Sequence, residues 1–144
     1  MPPFRLVIPR PVFEEMLSHA RADRPNECCG LLAGVVEANV GRVRKLHRLV
    51  NELASPVAFR SESRSLFAAM KAMRQAGTDV LAVYHSHPLS DPIPSRHDLA
   101  QNYSERVVNL IVGLVPEPPD VRAWWLNGTG YSAAEWRVEA VNPA

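Results

Sequence analysis

The chain has 144 residues, 47% of them hydrophobic and 22% charged, with a net charge of +1. That composition suits one soluble globular domain with a real core, and it leaves no electrostatic footprint for nucleic acid or an anionic membrane. No apolar run approaches the roughly 20 residues of a membrane span, Met1-Pro2-Pro3-Phe4-Arg5 lacks a signal-peptide core, and two adjacent cysteines make no disulfide framework, so a reducing cytoplasm is the expected compartment.

Arg5-Leu6-Val7-Ile8 reads as a first strand. Pro11 suits the opening of a helix, with Phe13, Met16, Leu17 and Ala20 as its buried stripe. Glu14 and Glu15 in the first turn, and His19 and Arg21 near the end, agree with the helix dipole; His19 is therefore expected at the surface. Glu27 follows a loop, and Cys28 to Val36 is apolar enough for a central strand. Gly30 and Gly34 inside it imply a close approach by another part of the chain. By residue type alone Glu27 is a solvated loop acid, and Cys28 and Cys29 are small core thiols.

After a turn over 37–41, Arg42 to Val50 returns antiparallel, with Arg42, Arg44, Lys45, Arg48 and His47 facing solvent. Asn51 lies in a loop where it could orient backbone, and Val57-Ala58-Phe59 reads as a short strand. Ser61 to Ser65 offer N-caps for a helix with Leu66, Phe67, Met70 and Met73 as its buried stripe, ended by Gly77.

The densest chemistry lies over residues 84–98. Val80-Leu81-Ala82-Val83 is a short apolar run that reads as a buried strand. Residues i and i+2 of a strand share a face, so His85 and His87 leave it together, in line with Leu81 and Val83. Two converging imidazoles can hold a divalent metal, and a catalytic zinc takes three protein ligands and keeps one open position. Asp98 is the best third ligand, because the Pro-rich loop turns the chain back and Ser95 is placed to cap a helix whose first turn holds Asp98. Spacing alone leaves the plainer alternative open: an incidental His-x-His pair and an ordinary cap with an acid at the helix start. Ser86 faces away from such a site, in a packing or supporting role, and His97 reads as an exposed first-turn residue. The helix is expected to run to about Glu105. Arg106 to Val115 is another buried strand, and Val121 to Leu126 and Tyr131 to Val138 read as a closing hairpin across Asn127-Gly128-Thr129-Gly130. Trp124 and Trp125 face opposite sides.

His85-Ser86-His87, seven residues, Ser95, two residues and Asp98, with Glu27 placed before Cys28-Cys29-Gly30-Leu31-Leu32-Ala33-Gly34, resembles the signature of the JAMM (MPN+) zinc metalloproteases. The resemblance covers most of the chain and implies an α/β, MPN-like (cytidine-deaminase-like) fold: a mixed, mostly antiparallel sheet flanked by helices, filling 1–144 as a single domain. It implies one catalytic zinc on His85, His87 and Asp98, Glu27 as general base, and Ser95 as a stabiliser of the oxyanion. The implied activity is hydrolysis of an amide bond after the C-terminal glycine of a ubiquitin-like or sulfur-carrier protein, by a prokaryotic stand-alone enzyme. The alternative is a non-catalytic MPN-type interaction scaffold with a structural zinc; the presence of all five residues favours the enzyme. A zinc nucleobase deaminase is set aside, because neither His-x-Glu nor Pro-Cys-x-x-Cys occurs. Oligomeric state, a homodimer included, and dependence on a partner are left open.

Overall fold

Leu6, Val7 and Ile8 bury the first strand, β1 (Arg5–Pro9), and the chain turns directly into α1 (Arg10–Ala22). The computed structural model describes residues 3–140. Because α1 opens at Arg10, Glu14 and Glu15 fall beyond its first turn; Glu14 pairs with Arg10 and Glu15 with Arg48 instead. Next come β2 (Cys29–Glu37) and β3 (Val40–Leu49), joined through Ala38 and Asn39, whose φ values of 50° and 63° make a tight hairpin turn. Then follow α2 (Ser63–Ala76), β4 (Asp79–His87), α3 (Arg96–Ala100), β5 (Val108–Gly113), β6 (Asp120–Asn127), β7 (Gly130–Ala133) and β8 (Trp136–Glu139).

Among the described residues the strands form an eight-stranded sheet ordered β7-β6-β5-β4-β2-β3-β1-β8. β2 pairs antiparallel with β3 and β4, as does β6 with β5 and β7; the β1–β3, β1–β8 and β4–β5 pairs are parallel. The expected mixed, mostly antiparallel sheet with flanking helices is what forms. β7 and β8 stand at opposite ends of the order, yet only Ala134 and Glu135 join them. Ala134 N donates to Ala123 O on β6, and Leu6 N on β1 donates to Glu135 O. The sheet must therefore curl until its edges approach, and the edge-to-face contact of Phe4 with Trp125 at 5.3 Å closes the gap.

Two apolar clusters result. The larger packs Leu6, Ile8, Met16, Leu32, Tyr84, Leu110 and Trp125 within the curl and under α1. The smaller lies on the other face of β2 and β4, where Cys29, Leu31, Val83 and Val107 meet Ala69 and Met73 of α2. Each fully buried large side chain contributes about 1.5–3 kcal/mol.

Several sequence expectations fail for identifiable reasons. Residues 57–59 form no strand: the Asn51 side chain donates to Ala58 O and accepts from Arg60 N and Leu53 N, so a side chain rather than a neighbouring strand satisfies this backbone. α2 is capped by Glu62, and its buried stripe is Ala69 and Met73, while Phe67 is 74% and Met70 41% exposed. Gly77 ends α2 as expected, at φ 69°. α3 stops at Ala100, well short of residue 105. The last strand of the expected hairpin divides into β7 and β8, the latter crossing to pair with β1. Leu81 leaves the face of Val83, because the β2–β4 register shifts between Leu32 and Ala33: β4 carries a bulge there, and Val80 takes the place of Leu81 beside α2. His19 is buried rather than exposed; its Nδ1 lies 2.7 Å from the Tyr84 hydroxyl and its Nε2 3.3 Å from Asp23 Oδ2. Helix position alone could not reveal a partner 65 residues away.

Candidate metal centre

β4 sits between β2 and β5, and its end alternates between the two faces of the sheet. Tyr84 and Ser86 turn toward α1, and His85 and His87 toward the α2 side, where Phe59 stacks on the His85 ring at 4.6 Å. Burial follows: His85 is 1% and His87 4% exposed. After His87 the loop folds back so that His87 Nδ1 donates to Asp91 O at 2.7 Å. That bond places the ring proton on Nδ1 and leaves the Nε2 lone pair facing the site.

Asp98 arrives from α3. Ser95 Oγ accepts from Asp98 N at 3.1 Å, and Asp98 Oδ2 accepts from Ser95 N at 2.9 Å, a reciprocal cap that fixes the carboxylate. His85 Nε2 and His87 Nε2 are 3.1 Å apart, and they lie 3.2 Å from Asp98 Oδ1 and Oδ2 respectively. A tetrahedral ion with bonds of 2.0–2.1 Å requires ligand atoms about 3.3 Å apart. The three side chains thus present an N, N, O set at nearly the spacing such an ion needs, and among the described residues they are the group able to share one. Burial raises the Asp98 carboxyl, but its close contacts with both imidazoles and the hydrogen bond from Ser95 N outweigh it and hold the group far below the usual carboxylate range. His85 is lowered by burial; His87 is raised, because Asp98 and the Asp91 carbonyl overcome its own desolvation.

Glu27 comes to the same place from the segment that leads into β2. Cys29 pairs with His85, and the strands continue in contact: Ser86 N donates to Cys28 O at 3.2 Å, and Cys28 N donates to Ser86 Oγ at 2.8 Å. Asn51 Nδ2 donates to Glu27 O, and Glu27 N to Ser55 O. The Glu27 side chain is 4% exposed, so it is no solvated loop acid, and its Oε1 is buried without a hydrogen-bond partner. Burial pushes its carboxyl up to about 8, with His87 pulling it down and Asp98 pushing it further up. A buried carboxyl oxygen left unpaired beside three converging ligand atoms is suited to receiving a proton from something that enters the site.

The structure brings Glu27, His85, His87 and Asp98 together, and Ser95 holds Asp98 from the exposed rim. Asn51 holds the Glu27 carbonyl, and Ser86 holds the backbone of the next residue, Cys28. His97 is half-buried, 3.4 Å from Phe59 O. Cys28 and Cys29 are buried thiols pushed up to about 12 by burial, neither ligands nor nucleophiles. Sequence reasoning missed how the 88–95 loop is fixed. Trp124 Nε1 donates to Pro92 O at 2.9 Å, and Pro92 packs where a side chain at position 113 would stand, so Gly113 gives it room. The glycine at the end of a buried, largely apolar strand was the available signal.

A family model described as prokaryotic homologs of the JAB domain matches residues 9–127. The desampylase of Haloferax volcanii is 38% identical over 99 residues, 65% of this chain and 70% of that protein. The CysO-cysteine peptidase of Mycobacterium tuberculosis is 34% identical over 94 residues, 65% of this chain and 63% of that protein. The solution structure of a protein from Desulfitobacterium hafniense superposes with a TM-score of 0.86 at 30% identity, covering 96% of this chain and 95% of that one. With the matched residues running from the end of β1 to the end of β6, the chain belongs to the prokaryotic JAB-domain family, as a JAMM-type peptidase domain.

Proposed function

We propose that this protein is a cytoplasmic zinc-dependent peptidase or isopeptidase that hydrolyses the amide bond after the C-terminal glycine of a ubiquitin-like or sulfur-carrier protein. The observation that carries the reading is the unpaired, buried Glu27 carboxyl beside the three converging ligand atoms of His85, His87 and Asp98. The relatives' names support the substrate class: desampylase, CysO-cysteine peptidase and, in Thermus thermophilus, probable TtuB-protein conjugate cleaving protease.

Zinc on His85, His87 and Asp98 would supply Lewis-acid chemistry, polarising a carbonyl and lowering the pKa of water to about 7. Glu27 takes the proton of the attacking water and returns it to the leaving amine. Burial raises this carboxyl in the metal-free site, and beside a cation held by the three ligands it would fall again, so that it is ionised to take the proton and still acidic enough to return it. Asp91 and Ser95 hold His87 and Asp98 by main-chain hydrogen bonds, so the ligand atoms need no reorganisation. Ser95 Oγ uses a lone pair on Asp98 N, which frees its hydroxyl proton to donate to the carbonyl oxygen as charge develops. The non-catalytic scaffold gives no reason to bury an unpaired carboxyl.

Elemental analysis is expected to find about one zinc per chain, lost in His87→Ala. Glu27→Gln should retain zinc and fold and lose hydrolysis of carrier proteins bearing a C-terminal extension. Equal hydrolysis by Glu27→Gln would remove Glu27 from the chemistry, and absence of zinc after reconstitution would move the assignment to the scaffold.

A further inference from the structure

A cavity of about 160 Å³ opens directly beside the metal centre, sharing His85 and Asp98 as part of its wall. Leu31, Leu49, Leu66 and Val83 line it together with Phe59, which stacks on the His85 ring, and Arg60, Ser61 and Gln101 add polar groups to the lining. It reaches solvent at Met70 and Tyr103, which are 41% and 57% exposed. A stripe residue of α2 expected in the core thus stands at the mouth of a pocket instead.

One polar group in this lining is unexplained. Asn109 on β5 pairs with Val83, on the ligand-bearing face of the sheet. It is 6% exposed, and its Nδ2 is buried without a hydrogen-bond partner. An apolar residue would serve the fold better there, since a buried amide without a partner is disfavoured. The combination of largely apolar walls, a buried unpaired donor and two metal-ligand residues in the wall is that of a recognition pocket. A dry cavity of about 150 Å³ holds a benzene-sized group, which sets the size of the occupant.

We propose that this cavity is a specificity pocket for an apolar side chain of leucine, methionine or phenylalanine size, carried by the substrate polypeptide close to the scissile amide, with a hydrogen-bond acceptor of the same segment meeting Asn109 Nδ2. The proposal rests on the hydrolase reading and deepens it. The buried apolar part of the wall disfavours a charged side chain, and alanine leaves the void unfilled.

The test uses the zinc-loaded protein and fluorogenic peptides with glycine on the acyl side of the cleaved bond. Leucine, methionine, phenylalanine, alanine or glutamate is placed at each of the three residues before that glycine. At one position the three large apolar residues should raise kcat/KM at least about tenfold over alanine, with glutamate lowest. Met70→Trp, which narrows the mouth from the surface, and Asn109→Leu, which removes the donor, should each flatten that preference. Phe67→Ala, on the same helix but outside the pocket, should keep it. Cleavage that Glu27→Gln abolishes but that shows no such preference, or a preference that Met70→Trp leaves intact, overturns the pocket while the hydrolase reading stands. If the wild type cleaves no peptide, the hydrolase reading falls and the pocket is judged separately by NMR. The Asn109 side-chain amide of the metal-free protein should shift on titration with a leucine-containing glycine-terminated peptide and stay fixed with its alanine counterpart. An amide unmoved by both peptides means a resident water only, and overturns the proposal.

Discussion

Glu27→Gln is expected to make the metal-free protein more stable at the same time as it removes hydrolysis, and the size of the gain is readable from the site. The Glu27 carboxyl is 4% exposed with Oε1 unpaired, and burial raises it from 4.5 to about 8. The unfolded chain releases this proton near pH 4.5; the folded chain holds it until about 8. Between those values the unfolded state binds fewer protons, so stability falls as pH rises through the window. Each tenfold shift is worth 1.36 kcal/mol, so the ionised carboxylate costs the fold about 5 kcal/mol above pH 8. Glutamine keeps the size of the side chain and carries no charge. The advantage of the variant should therefore be near zero at pH 4.5, grow steadily, and reach its full value above pH 8. Urea titrations of both proteins in chelator, at pH 5, 6.5 and 8.5, read this directly. Adding zinc should narrow the gap, because a cation beside the carboxylate offsets its desolvation. Midpoints of variant and wild type that run parallel across the whole window would refute the argument and imply that Glu27 is well solvated or paired.

Three further substitutions probe what holds the site. Ser86→Ala removes the acceptor of the buried Cys28 N–H and should cost about 1–3 kcal/mol in denaturant, with lower kcat, since Cys28 fixes the backbone of Glu27; an unchanged midpoint would mean another acceptor takes over. Gly30→Ala places a Cβ into the Tyr84 ring and should cost about 1–3 kcal/mol in the same titration; free tolerance would show that Tyr84 can move. Trp124→Phe keeps an aromatic ring but deletes the donor to Pro92 O. It should weaken zinc about tenfold in competition with a chromophoric chelator, with a stability loss of no more than about 1.5 kcal/mol; an unchanged Kd would disconnect this hydrogen bond from the ligand loop.

What was legible in the sequence was short in range. The alternation of β4 from Val83 to His87, the cap at Ser95 and the αL ending at Gly77 are each decided within a few residues, and each forms as read. Glu27, His85, His87 and Asp98 were found through spacing and family resemblance together; nothing local marks Glu27, whose burial depends on Ser86, Asn51 and Ser55. The failures involve partners far along the chain. His19 looks like a surface residue until Tyr84 is brought under it, and residues 57–59 look like a strand until Asn51 satisfies their backbone. Phe67 and Met70 follow helical spacing, but α2 meets the sheet over only part of that stripe. The expected hairpin after Asn127 obeyed local turn chemistry, yet the curl of the sheet brought the β1 edge within two residues' reach.

The residues between the ligands matter to the site for the same reason that the ligands were legible. On β4 each step reverses the face, so Tyr84 and Ser86 are committed to the α1 side by the same geometry that commits His85 and His87 to the other. Tyr84 fills the space left by Gly30 and meets His19 on α1. Ser86 ties β4 to Cys28, one residue from Glu27. The positions of the two imidazoles and of the acid are thus set in part from the opposite face of the sheet, by contacts that touch neither metal nor substrate. A substitution at Tyr84 or Gly30 should accordingly shift zinc affinity along with stability, whereas one at exposed Phe67 should shift neither.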